Sequence, residues 1–180
     1  SVVMREFDPL KAWELIPEEK ITCSLLVPAM LNFMSQVPNV TGYDYSTLRW
    51  IQSGAAPLPE NLIRTYADWD IEVHQIYGLT EVCGPACVIN AENALKRIGS
   101  TGQVFFHTEG RVVDENGIDC QPGEQGEIWI RGKHIMLEYW NRPEATAETI
   151  TRDGWLRTGD VASMDEEGYV YIQDRIKDMI

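Results

Sequence analysis

The sequence predicts an α/β protein: part of an α/β layered subdomain with a mixed or parallel sheet, followed by a small antiparallel, β-barrel-like subdomain. Three observations carry that expectation. In roughly the first half, short apolar runs alternate with amphipathic stretches, the pattern of strands joined by helices. In the second half, strands with two-residue alternation are separated by turn chemistry every eight to twelve positions or so. The length of 180 residues is enough to bury a core without disulfide support.

The elements follow in order. Asp8-Pro9 places a cap and a first-turn proline ahead of Leu10, Trp13 and Leu15, so a helix starts here. Residues 21–27 form an apolar run suited to a strand covered on both faces. Residues 28–34 read as a helix, with Met30, Leu31, Phe33 and Met34 apolar. Leu48-Arg49-Trp50-Ile51-Gln52 reads as a second strand ending at Ser53-Gly54. Pro59-Glu60 opens another helix with Leu62, Ile63 and Tyr66 at core spacing, and residues 71–77 make a third strand that Gly78 stops. The expected domain boundary lies near residues 90–98, dividing an α/β part (1–95) from a β-rich part (96–176). In the latter, residues 109–114 followed by Asn116-Gly117 signal a hairpin, because Asn-Gly accepts the positive φ of a tight turn. Residues 127–131 and 169–172 alternate as strands, and Asn141-Arg142-Pro143-Glu144-Ala145-Thr146 starts a short helix between them.

Composition removes several functions. Acidic residues number 28 against 15 Lys and Arg, a net charge of −13 spread almost evenly over both halves. Non-specific binding to nucleic acid or to an anionic membrane is therefore not expected. The uncharged run 21–43 is long, but Pro28, Asn32, Gln36, Pro38, Asn39 and Thr41 within it exclude a spanning helix. The first residues carry no signal-peptide pattern, so the expected location is cytoplasmic, with peripheral membrane association left open. Cys23, Cys83, Cys87 and Cys120 form no CxxC and have no neighbouring His pair, which points to reduced core or loop thiols rather than a metal site.

Three loops follow strand ends, where open α/β sheets place their ligands. Ser53-Gly54-Ala55-Ala56-Pro57 lets a backbone approach a ligand closely, and serves equally as a plain strand-to-helix turn. Tyr77-Gly78-Leu79-Thr80-Glu81 offers an aromatic face, a glycine, a hydroxyl and a carboxylate able to hold Mg²⁺. Asp153-Gly154-Trp155-Leu156-Arg157-Thr158-Gly159-Asp160 delivers a carboxylate after a glycine turn. Asp174-Arg175-Ile176-Lys177-Asp178 is a mixed-charge run that in isolation reads as a solvated turn. His74 lies on the same strand face as Ile76, either bordering a pocket or hydrogen-bonded in the core; His107 and His134 have no motif around them.

Together, and in this order, these strings resemble the adenylate-forming family of acyl- and aryl-CoA synthetases, luciferases and peptide-synthetase adenylation domains. Gly123-Glu124-Gln125-Gly126-Glu127, Gly132, Tyr139, Pro143-Glu144-Ala145-Thr146, Asp165 and Gly168-Tyr169 extend the match, which runs from about residue 20 to the end. Within the family the chain looks most like fatty-acyl-CoA synthetases. The resemblance implies an enzyme that activates a carboxylic acid with ATP and Mg²⁺ and passes the acyl group to CoA. It implies that the loop of Ser53, Gly54, Ala55, Ala56 and Pro57 lines the adenine and carboxylate pocket, that Tyr77 stacks on the adenine and that Gly78 leaves room for it. Thr80 would bind the α-phosphate, Glu81 the Mg²⁺, and Asp160 and Arg175 the ribose. Lys177 matches the hinge position, with residues 177–180 opening the hinge.

Bland alternatives stay open for each: Tyr77 and Trp155 as core aromatics, Glu81 as a helix-end charge, Arg175 as the partner of Asp174. The family's Ser/Thr/Gly-rich phosphate loop is absent, as is the C-terminal domain with its catalytic lysine. The chain is thus expected to be a fragment of an N-terminal domain, inactive alone, with CoA contacts mainly outside it and the rest of its own polypeptide as its partner. An aryl or carnitine-like acid, transfer to a carrier protein, and a non-catalytic nucleotide- or acyl-binding module are the alternative readings.

Overall fold

The computed structural model describes residues 1–176 as two compact units, residues 1–75 with 90–99, and residues 76–89 with 100 onward. The first begins with helix α1 (Pro9–Glu18), whose Asp8 cap accepts from the Lys11 N–H at 3.0 Å, with Pro9 in the first turn. Strand β1 (Cys23–Leu26), helix α2 (Pro28–Ser35), strand β2 (Trp50–Ser53), helix α3 (Glu60–Asp68) and strand β3 (Val73–Tyr77) follow, and helix α4 (Ala91–Ala94) returns to this unit. β1, β2 and the first three residues of β3 form a parallel ladder, pairing Ser24 with Ile51 and Ile51 with Val73.

The core of this unit is aromatic. Trp13, fully buried, lies 5.8–6.4 Å from the rings of Tyr43, Tyr45, Tyr66 and Trp69. Its indole N–H and the Tyr66 hydroxyl donate to the carbonyls of Met34 and Leu31 in α2, so both of these buried ring donors have a partner. α3 turns Leu62, Ile63 and Tyr66 inward, as their spacing predicts. The strand at 21–27 departs from expectation. β1 is not covered on both faces: Cys23 and Leu25, on one face, are exposed (Leu25 67%), whereas Ser24 and Leu26, on the other, are half-buried. An apolar run alone does not tell a strand covered on one face from one covered on both.

The second unit takes in the end of β3 at Ile76 and Tyr77, strands β4 (Cys87–Ile89) and β5 (Gln103–Val104), then β6 (Glu109–Val113), β7 (Gln125–Arg131), helix α5 (Pro143–Thr149), β8 (Leu156–Met164) and β9 (Val170–Arg175). β6 to β9 form a four-stranded antiparallel sheet in sequence order. The Asn116-Gly117 turn is present, with Asp114 accepting from the Asn116 and Ile118 N–H groups, but it closes a single bridge from Val113 to Asp119. The true ladder partner of β6 is β7, which begins further along. One sheet face carries Val112, Ile128, Ile130, Leu156, Ala162 and Val170 into a core shared with Val82, Ala86 and Cys87. Trp129 and Trp155 pack with Val113 in a smaller cluster, where the Arg111 guanidinium lies 4.9 and 4.4 Å from their ring centres.

Candidate functional site

The second unit brings together most of the residues singled out by motif. Tyr77 and Asp160 are 83 positions apart in the chain, yet the Tyr77 hydroxyl donates to Asp160 Oδ2 at 2.6 Å. Arg175 stands opposite Asp160 in the β8–β9 register, and its Nε lies 3.5 Å from Asp160 Oδ1. Asp160 is 7% exposed, while the Arg175 side chain is mostly in solvent. The Arg175 backbone N–H also donates to Asp174 Oδ1 at 2.8 Å. Burial, reinforced by the bond to Asp160, pushes the Tyr77 phenol far above its ordinary range; it is a neutral donor throughout the physiological range.

A strand irregularity aims Asp160. Glu127 pairs with Val161 and Trp129 with Arg157, so β8 carries extra residues, Thr158 to Asp160, against one residue of β7. Such a bulge bends a strand and redirects a side chain, leaving backbone groups without ladder partners. Side chains supply them. Gly159, at φ +73°, donates its N–H to Glu127 Oε1 at 2.8 Å, and the Asp160 N–H donates to Thr158 Oγ1 at 3.1 Å. The Thr158 hydroxyl donates onward to the Ile128 carbonyl at 2.7 Å, and Glu127 Oε2 accepts the Trp129 indole N–H at 2.7 Å. Glu127 and Thr158 lay inside the quoted strings without a role. Their part is set by a long-range register that no local string reveals.

The loop after β3 holds the other groups. Gly78 is exposed, and a Cβ there would collide with the Gly84 carbonyl oxygen, so the glycine permits a close backbone approach within the loop itself. A 3₁₀ turn over Thr80–Val82 leaves Thr80 exposed and Glu81 half-buried. Glu81 Oε1 accepts the Tyr139 hydroxyl at 2.7 Å, and the Glu81 carbonyl accepts the Met136 N–H at 2.8 Å. Tyr139 belonged to the motif pattern but had no assigned function.

In the first unit, Ser53 and Gly54 are buried while Ala55, at φ +68°, Ala56 and Pro57 are exposed. Ser53 pairs with Gln75, and both Ser53 Oγ and Gln75 Nε2 are buried without a hydrogen-bond partner. His74 stacks on Trp50 at 5.9 Å and meets Glu72 at 2.9 Å. Lys177 lies outside the described residues.

As a metal site, the second unit offers hard oxygen and little of it. Among the described residues no three His, Cys, Asp or Glu side chains converge on a cation position. The Glu81 carboxylate nonetheless has roughly four lone-pair sites, one of them used by Tyr139. One carboxylate completed by ligand phosphate oxygens is the donor set Mg²⁺ takes with nucleotides, so the residues present fit that ion.

The family model described as AMP-binding enzyme matches residues 1–140. The chain belongs to the AMP-binding enzyme family. It is 45% identical to the long-chain-fatty-acid–CoA ligase FadD13 of Mycobacterium tuberculosis, covering 99% of this chain and 35% of that protein. It is 39% identical to the indoleacetate–CoA ligase of Aromatoleum aromaticum, with the same coverage of both. It superimposes with a TM-score of 0.88 on the o-succinylbenzoate CoA synthetase of Bacillus subtilis in complex with ATP and magnesium ion, at 29% identity over 98% of this chain and 36% of that one. The chain thus spans about a third of the length of such relatives. No helix among its described residues is long and apolar enough to cross a membrane.

Proposed function

We propose that this chain is the segment of an AMP-forming acid–CoA ligase that holds the ATP ribose, adenine and Mg²⁺. The single observation that carries the reading is the convergence of Tyr77 and Arg175 on the buried Asp160 carboxylate within a family of AMP-binding enzymes. Two of that carboxylate's lone-pair sites face protein donors, and the remaining two accept the ribose hydroxyls. Arg175 donates from solvent toward the same sugar, and the Tyr77 ring offers its face to adenine, with its hydroxyl anchored so that it does not swing. Thr80 donates to the α-phosphate and Glu81 holds Mg²⁺, which when bound offsets phosphate charge. The Ser53–Pro57 segment lines the acid pocket with backbone and small side chains.

In the proposed reaction a carboxylate oxygen of the acid attacks the α-phosphorus of ATP and pyrophosphate leaves. The CoA thiolate then attacks the acyl carbonyl and AMP leaves. Identity to a long-chain-fatty-acid–CoA ligase favours a fatty acid as substrate; identity to an indoleacetate–CoA ligase supports an aryl acid as the second reading. Acid-dependent ATP–pyrophosphate exchange by the full-length protein, over a panel of fatty and aryl acids, tests both. Exchange with long-chain fatty acids is expected; exchange with aryl acids alone selects the second reading, and no exchange with any acid rejects the enzyme.

A further inference from the structure

Glu81 is gripped twice by one stretch of chain. The Met136 N–H donates to its carbonyl at 2.8 Å, and the Tyr139 hydroxyl donates to its Oε1 at 2.7 Å. Tyr139 is itself fixed, since its backbone N–H donates to Thr146 Oγ1 at 3.0 Å and that hydroxyl donates to the Arg142 carbonyl at 2.9 Å, at the start of α5. The ring is no core filler. Tyr139 is half-buried, and its neighbours Leu137 and Trp140 are 93% and 83% exposed. A phenol hydroxyl is an uncharged donor. A neutral donor suits the purpose: it fixes a carboxylate without cancelling the charge that a cation needs, as a lysine or arginine would.

We propose that Tyr139 is a positioning residue for Mg²⁺: its hydroxyl locks the Glu81 carboxylate so that the outward lone pairs face the metal and the phosphates. The inference rests on the reading of Glu81 as the Mg²⁺ ligand. Partners of this kind change metal affinity or activity by roughly 10–100-fold.

The test uses the full-length protein and the Mg²⁺ concentration that gives half-maximal pyrophosphate exchange at fixed ATP and acid. Tyr139→Phe deletes one oxygen and is expected to raise that concentration about tenfold, with the melting temperature without nucleotide nearly unchanged. Glu81→Gln runs beside it. If Glu81→Gln shifts the Mg²⁺ dependence and Tyr139→Phe does not, the positioning role is overturned while the Glu81 reading stands. If neither shifts it, both fall. Should Tyr139→Phe fail to fold, Thr146→Val takes its place: it frees the Tyr139 backbone and keeps the hydroxyl, so a smaller shift in the same direction supports the proposal and an unchanged Mg²⁺ dependence overturns it.

Discussion

The two units solve the problem of order in opposite ways. The first is held by rings, with Trp13 at the centre of four aromatic neighbours. Its polar groups near the expected ligand loop, Ser53 Oγ and Gln75 Nε2, are buried and unpartnered. The second is held at its candidate site by a polar relay in which Glu127, Thr158, Asp160, Tyr77 and Arg175 each contact at least one other group. Apolar packing is non-directional and tolerates small shifts, whereas a hydrogen-bonded carboxylate is aimed. The contrast places mechanical stability in the first unit and chemical pre-organisation in the second.

The largest break in that comparison comes from Trp13→Ala. It empties a fully buried ring site and removes the indole N–H bond to the Met34 carbonyl, so a loss of about 3–5 kcal/mol is expected in denaturant unfolding. An effect below roughly 1 kcal/mol would mean the aromatic cluster does not organise the unit. Next is Gly78→Ala, where the new Cβ meets backbone and not a movable side chain. Overpacking there should cost about 1–3 kcal/mol and lower exchange activity, read by melting temperature and turnover.

Glu127→Gln sharpens the second half of the contrast. The amide keeps one acceptor and offers a donor where the Gly159 N–H and the Trp129 indole both need acceptors. The expected result is a several-fold rise in KM for ATP with little change in melting temperature; the reverse pattern would make Glu127 a structural residue only. The smallest effect concerns thiols. Cys23 and Cys83 are exposed and should alkylate in the native protein, while Cys87, pushed up to about 12 by burial, should react only on unfolding. The sign of the pH effect follows. The buried thiol stays neutral when the unfolded one, near 9, ionises, so its contribution to stability is complete below pH 9 and declines from there to about 12. A denaturation midpoint that rises over that window would contradict the burial of Cys87.

Local patterns made much of this legible. The Asp8-Pro9 start, the inward face of α3 and the turn at Asn116-Gly117 depend on residues within a turn or two of each other, and the structure has all three. Tyr77, Glu81, Asp160 and Arg175 could be singled out by motif, and the structure gathers Tyr77, Asp160 and Arg175 around one carboxylate. What sequence did not disclose depends on distant pairing. The exposure of Leu25 depends on which face of β1 other elements pack against, and the roles of Glu127 and Thr158 follow from a bulge defined by two strands. The bond from Tyr139 to Glu81 joins residues 58 positions apart.

The most direct test of the nucleotide site is ATP affinity of the full-length protein with Asp160 replaced by Ala, measured by calorimetry in the presence of Mg²⁺. On the proposed role of Asp160 as acceptor of two ribose hydroxyls, each bond to a charged group being worth about 1.5–3 kcal/mol, its loss should weaken binding at least tenfold. Binding within a factor of about two of the unaltered protein, with the fold intact by melting, would contradict the assignment of this carboxylate to the ribose.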